Sequence, residues 1–270
     1  MKCILIGRNC IIVAGNDRFN FLQGLITNDV MLLKKQQVIY ACILTPQGKY
    51  FADIFIINCD DYFLIDIPQN LSAELIVKLN MYKLRSNVSI SAVENIKVIA
   101  AEAILDGLDK KLTYFNDPRN KDLGFRYYID KQDISDIDNL EDSDRIYDLK
   151  RIELLIPEGE KDLISNKSFP LEYELDRLGA ISFTKGCYVG QEVVSRTKYR
   201  GVIRKKIYKI IADKDLLSGQ EILVGGNKIG TLCSVVNNIG LALLYKEFYA
   251  NFLDDKVVTD SGHHLLITEL

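Results

Sequence analysis

Apolar and polar positions follow two different periods along this chain. Residues 3–14 are apolar and read as a strand pair or one bent strand. Gly15-Asn16-Asp17 then supplies a turn and a helix cap, and Phe19, Leu22, Leu25 and Ile26 recur at the three-to-four spacing of a short helix. Strands are predicted over 38–44 and 50–57, joined by Thr45-Pro46-Gln47-Gly48, where proline presets φ and glycine accepts a positive one. Asp60-Asp61 turns the chain again into a strand over 62–67, which completes an antiparallel meander. Leu71, Leu75, Ile76 and Leu79 share one face of a helix ending before Asn87, and strands follow over 88–93 and 96–103. Residues 130–144 are Asp-rich and read as a connection; Ile146, Leu149, Ile152 and Ile156 then mark a helical face over 144–156. From 202 onward the pattern shifts to short strands at 207–211, 221–224, 229–235 and 239–244, with Gly225-Gly226-Asn227 as a hairpin turn. Lone helices among hairpins predict an α+β fold, not a doubly wound sheet, with a small β-barrel or sandwich at the C-terminal end.

Composition narrows the chemistry. At 270 residues the chain suits two compact domains, or one core with a smaller unit appended. No apolar run approaches the ~20 residues of a membrane span. The start of the chain is too short in apolar residues for a signal peptide, so an intracellular protein is expected, with no membrane partner. A net charge of −3 argues against strong, unspecific nucleic-acid binding, although basic residues cluster near 196–206. Cysteines stand at 3, 10, 42, 59, 187 and 233, without zinc-knuckle or dithiol spacing, and are expected to be free thiols. The two histidines, His263 and His264, lie together in the tail, which excludes a Ser-His-Asp triad and a His-rich metal site. No tightly bound metal is expected.

The most informative stretch is Lys185-Gly186-Cys187-Tyr188-Val189-Gly190-Gln191-Glu192. It resembles the signature of the YgfZ family, which is related to the glycine-cleavage T-protein and includes mitochondrial iron–sulfur assembly factors. Residues 21–30, the turn at Thr45-Pro46-Gln47-Gly48-Lys49 and Arg151-Ile152-Glu153 before Pro157 resemble further family motifs, so the likeness spans about residues 12–201. The resemblance implies a clover-leaf of antiparallel-sheet and helix subdomains around a central channel, within residues 1–200, followed by a C-terminal β-barrel domain at 201–270. It implies tetrahydrofolate or a derivative as ligand, and iron–sulfur enzymes or their assembly proteins as partners, including an enzyme of tRNA modification. A bacterial cytoplasm or a matrix-like compartment, and a monomer or weak dimer, complete the expectation.

Each motif residue carries two readings. Cys187, just before a helix start and near Lys185, is either a reactive or cluster-related thiol or a small buried hydrophobe. One thiol cannot hold an iron–sulfur cluster alone, since clusters take four ligands, so any contact with iron is expected to be transient or shared. The resemblance places Glu153 on the N–H edge of a pterin; its own surroundings equally suit an exposed carboxylate beside Lys150 or Arg151. Lys185, Arg196, Lys198, Arg200 and Arg204 are expected to form a basic patch that draws in a folate's anionic tail, or simply a solvated face. Tyr188, Gln191 and Glu192 are placed in the same folate-contact set; Gln191 and Glu192 equally serve the start of the helix. Asn28 and Asp29 are either polar channel groups or turn and cap residues. The aspartate that the T-protein needs falls at Ser72-Ala73, with Asp66 too early and Glu74 offset, so aminomethyl transfer is the alternative function. A nucleic-acid adaptor using the basic patch is a third reading, weakened by the acidic total.

Overall fold

The computed structural model describes residues 2–5, 7–105, 113–137, 139–141, 143–251 and 256–269. In chain order the first half holds β1 (Lys2–Ile4), β2 (Arg8–Ala14), α1 (Arg18–Gln23), β3 (Val38–Leu44), β4 (Tyr50–Cys59), β5 (Tyr62–Pro68), α2 (Ser72–Lys83), β6 (Ser89–Val93), β7 (Ile96–Ala101), β8 (Thr113–Asn116) and β9 (Phe125–Asp130). Two helices follow, α3 (Arg145–Glu153) and α4 (Gln191–Arg200). The tail contains β10 (Lys205–Ala212), β11 (Glu221–Val224), β12 (Asn227–Val236), β13 (Ile239–Tyr245), α5 (Lys246–Asn251), β14 (Val257–Thr259) and β15 (Leu265–Thr268).

These strands make three antiparallel sheets, in the orders β3-β4-β5-β2-β6, β1-β7-β9-β8 and β14-β11-β12-β13-β10-β15. The meander β3-β4-β5 is the one the sequence predicts. Its strands are apolar almost without alternation because both faces are covered. Ile39, Ala41, Ile43, Ile54 and Ile56 pack under α1 and α2, against Phe21, Leu22, Leu75 and Leu79. Tyr40, Cys42, Leu44, Phe55 and Ile57 face the opposite core, with Ile152, Ile156, Leu171, Leu175 and Leu178.

The first apolar stretch divides between two sheets: β1 pairs with β7, and β2 pairs with β5 and β6. Gly7 lies between them. β8 and β9 were not legible in the pattern, and the connection read over 130–144 opens with the last residue of β9 and a 3-10 turn at Lys131–Asp136; residues 138 and 142 of that stretch lie outside the described residues.

The tail sheet coils on itself. Register shifts between Ile222 and Leu223 and between Leu232 and Val235 sharpen its bend. A bridge between Val258 and His264 joins its two ends, leaving a nearly closed barrel. The buried Arg151 fastens α3 to this barrel: its guanidinium donates to Asp148 (2.6 Å), Asp162 (2.6 Å) and Ser234 Oγ (2.5 Å) on β12. Among the described residues, no helix is long and apolar enough to cross a membrane.

Candidate functional site

The signature loop sits on the end of α1, and one lysine fastens it there. Lys185 Nζ donates to the carbonyls of Gln23 (2.7 Å), Ile26 (2.8 Å) and Asn28 (2.8 Å). These carbonyls lie at and just past the helix end, where the backbone lacks intrahelical partners. The ammonium thereby closes the turn after α1 and fixes the loop in one step. Burial pushes the Lys185 pKa down to about 8, partly opposed by Asp29. Backbone bonds from Ser182 N to Thr27 O and from Val189 N to Gly24 O complete the seam. Thr27 Oγ1 donates to Ala180 O (2.6 Å) and accepts from Cys42 N (2.8 Å).

Two glycines bring the signature loop onto the β3–β4 turn. Gly190 precedes α4 in a left-handed conformation, φ 84°, and a Cβ there would stand 2.6 Å from Thr45 O. Gly48, φ 72°, would collide with Val193 at 2.8 Å. The two motifs, far apart in sequence, therefore meet backbone to backbone, and only glycine permits the contact.

On this platform Cys187 is exposed, the one exposed thiol of the six. Burial pushes Cys3 to about 11 and holds Cys10 and Cys42 well above the ordinary thiol range. Buried thiols of that kind are poor nucleophiles and poor metal ligands, because the thiolate is the reactive form. Cys187 is the sulfur that solvent or a partner reaches. Among the described residues no group of three His, Cys, Asp or Glu side chains is disposed to hold a metal. A cluster touching Cys187 would need its other ligands from elsewhere.

The other residues singled out from sequence are dispersed. Lys185 belongs to the interior and not to a basic patch. Tyr188 is buried, its ring 5.2 Å below Lys185 Nζ, and burial followed by Cys42 raises it to about 12. Asn28 is consumed by backbone: its side chain donates to Tyr40 O and Gly179 O, both at 2.8 Å, and accepts from Asp29 N. Asp29 caps the following 3-10 turn through Met31 N (3.0 Å) and accepts from Gln23 (2.9 Å). Gln191 is half-buried, while Glu192, Arg196 and Arg200 are exposed along α4. Lys198 pairs with Asp176 (2.6 Å).

Glu153 is also exposed, at the last turn of α3. Leu155 then turns the chain with φ 51°. The buried carboxylate of this segment is Glu158, which accepts from Arg119 Nη1 (3.2 Å) and Tyr147 Oη (2.7 Å). Sequence reasoning missed it; the turn signal Pro157-Glu158-Gly159 was the clue. A Cβ on Gly159 would lie 1.9 Å from Tyr50 Oη, so this backbone presses directly on the centre of the molecule.

That centre is a buried ion cluster. Asp66 accepts from Arg8 Nε (2.7 Å), from Arg126 Nε (2.9 Å) and Nη2 (2.8 Å), and from Tyr128 Oη (2.7 Å). Asp53 accepts from Tyr50 (2.8 Å) and Tyr40 (3.2 Å), and Arg119 grips Asp117 at 2.9 and 2.7 Å. Arg126 lies 4.1 Å over the Phe55 ring. The neighbouring arginines outweigh burial and hold Asp66 below, and Glu158 well below, the ordinary carboxylate range. Beside Arg8 and Glu158 lies a hollow of about 30 Å³, room for water but not for a pterin.

The residues expected to hold tetrahydrofolate do not fit it. Glu153 faces solvent, Lys185, Asn28 and Asp29 are spent on backbone groups, and the α4 arginines stand apart on an outer helix face. They do not converge on one space.

Comparison with known proteins bears on the same elements. The family model of the CAF17 C-terminal beta-barrel domain matches residues 204–263, which covers most of the coiled tail sheet. An iron–sulfur cluster assembly factor IBA57 homologue, mitochondrial, of Mycosarcoma maydis is 33% identical over 225 residues, covering 74% of this chain and 54% of that protein. The counterpart from Dictyostelium discoideum is 32% identical over 256 residues, covering 78% of this chain and 62% of its own. The chain is a homologue of the IBA57 proteins. The human IBA57 factor agrees at 27% identity over 274 residues, with 90% of this chain and 77% of that one covered. The homologue spans a little over half the length of the first of these relatives. The crystal structure of the glycine cleavage system aminomethyltransferase T from Bartonella henselae superposes over 100% of this chain and 84% of its own, with TM-score 0.80 and 13% identity. The α+β fold expected from the signature is therefore the fold present, with the barrel at its C-terminal end.

Proposed function

We propose that this protein assists the assembly or maintenance of iron–sulfur enzymes, with Cys187 as the group it offers to its partners. The single observation that carries the reading is the exposed thiol on a loop whose every support is internal: Lys185 below it, Gly190 and Gly48 beside it. A thiol meant for packing has no need of such a mount; of the other five, four are buried and Cys59 is half-buried. The names of the IBA57 relatives support the same role, and their mitochondrial placement supports a matrix-like compartment or its bacterial equivalent. With one sulfur and no neighbouring ligand set among the described residues, the protein acts as one side of a shared or transient site. An enzyme of tRNA modification belongs among the clients this reading entails. No step is assigned to tetrahydrofolate, and nothing in the geometry favours aminomethyl transfer: Asp66, the buried carboxylate nearest the expected position, is fully engaged by Arg8, Arg126 and Tyr128.

The test is genetic and biochemical. Cells lacking the gene should lose activity of an iron–sulfur dehydratase and the methylthio modification of tRNA, and the wild-type gene should restore both. Normal activity of both in its absence would dismiss the reading.

A further inference from the structure

The outer face of α4 borders an apolar groove that the proposed function does not use. It holds about 190 Å³ and runs between α4 and the segment around Pro170. Phe169, Leu171, Val193, Val194, Val202 and Ile203 line it. The apolar lining continues onto open surface at Val202, which is 81% exposed. An exposed apolar side chain continuous with a preformed apolar groove extends one patch that a partner can cover.

The rim is basic, and its arginines are uncommitted. Residues 196–206 read Arg-Thr-Lys-Tyr-Arg-Gly-Val-Ile-Arg-Lys-Lys, six cations and no anion, in a chain of net charge −3. Lys198 is taken by Asp176, and Lys206 faces Glu174 and Glu269. Arg196, Arg200 and Arg204 are exposed and make no ion pair among the described residues. By helical spacing Arg196 and Arg200 follow Val193 and Thr197 along the same edge of α4, and Arg204 itself lines the groove. The carboxylate lining it, Glu172, is half-buried, and Lys205 partly offsets the penalty of that burial. Negative charge is therefore unwelcome at the floor and welcome at the rim.

We infer that this groove docks a partner protein through an acidic segment carrying an apolar anchor: one aromatic or aliphatic side chain enters the groove, and flanking Asp or Glu residues pair with Arg196, Arg200 and Arg204. An apolar anchor in a desolvated pocket supplies most of the affinity, and the charges at the rim supply orientation and rate. A nucleic acid fits less well, because hydrocarbon walls offer phosphates nothing and the chain as a whole repels a long polyanion. The inference goes beyond the role proposed for Cys187 and does not need that thiol.

The experiment is a selection of short random peptides displayed on phage against the intact protein, followed by anisotropy titration of an enriched synthetic peptide. The expected consensus is one Phe, Leu or Ile flanked by Asp and Glu. That peptide should lose about tenfold or more in affinity for R200E/R204E, a surface change that leaves the fold alone, and for Thr197→Arg, which fills the groove. Cys187→Ala should bind it like wild type, which separates failure of this inference from failure of the proposed function. No enrichment, a consensus without acids, or equal binding to R200E/R204E would overturn the groove as a docking site. So would loss of binding in Cys187→Ala, which would move the contact to the thiol loop. Single-stranded RNA that binds in physiological salt and is released by R200E/R204E would overturn it in favour of nucleic acid.

Discussion

The buried centre and the signature loop use charged and reactive groups in opposite ways. At the centre, Arg8, Arg126 and Arg119 face Asp66, Asp117 and Glu158 with almost every polar atom paired inside the protein. At the loop, one cation, Lys185, is buried to hold backbone, and the thiol it supports is left facing outward. The dense polar cluster is closed on itself, and the exposed thiol is open to solvent. The strong shifts at the centre do not by themselves mark a site, because structural ion networks perturb groups as strongly as active sites do.

Asp66→Asn should break the comparison most visibly. It leaves the buried Arg8 and Arg126 with only their longer contacts to Asp53 (3.4 Å) and Asp117 (3.8 Å), and chemical denaturation should show a loss of about 3–5 kcal/mol. A loss below about 1 kcal/mol would mean that water reaches the centre. Lys185→Met keeps the apolar stem and removes three hydrogen bonds, so a loss of about 1–3 kcal/mol is expected, together with faster proteolysis near the loop. Gly190→Ala forces a Cβ against Thr45 O in a left-handed conformation and should cost about 1–3 kcal/mol, with reduced helicity at the start of α4.

Acid should act on the centre before the loop. Glu158 and Asp66 have folded values below their ordinary ones of 4.5 and 3.8, so their stabilisation is complete above those values. As pH falls below about 4.5 the unfolded chain takes up protons that the folded one refuses. Stability then falls by up to about 1.4 kcal/mol per pH unit for each such carboxyl. Glu158→Gln should flatten that slope in an acid titration of the melting temperature. Smallest of all, Cys187→Ala should change stability by less than about 0.5 kcal/mol, as an exposed substitution does.

Much of the frame was legible in the chain itself. The Thr45–Gly48 turn between two apolar runs declared its hairpin, the glycines around Cys187 declared a tight loop before a helix, and the strands at 221–244 declared the tail sheet. What escaped depends on partners remote in sequence. Lys185 looked like a member of the basic run that follows it, yet its three acceptors lie 157–162 residues away. Nothing local marks Arg8 and Arg126 as buried, because periodicity carries no sign of an Asp66 that is 58 and 60 residues distant. β9 reads Phe-Arg-Tyr-Tyr-Ile-Asp, and its inward arginine concealed a strand whose polar residue is buried by pairing. Glu153 and Glu158 differ by one turn of chain, and the left-handed step at Leu155 that sends one outward and the other inward has no marker such as glycine.

Rescue of iron–sulfur enzyme activity by Cys187→Ala, in cells lacking the gene and at protein levels matched to wild type, tests the division between centre and loop most directly. The account predicts a folded, fully abundant variant that leaves the dehydratase inactive. Restoration of full activity by that variant would contradict it and return Cys187 to the status of a surface residue.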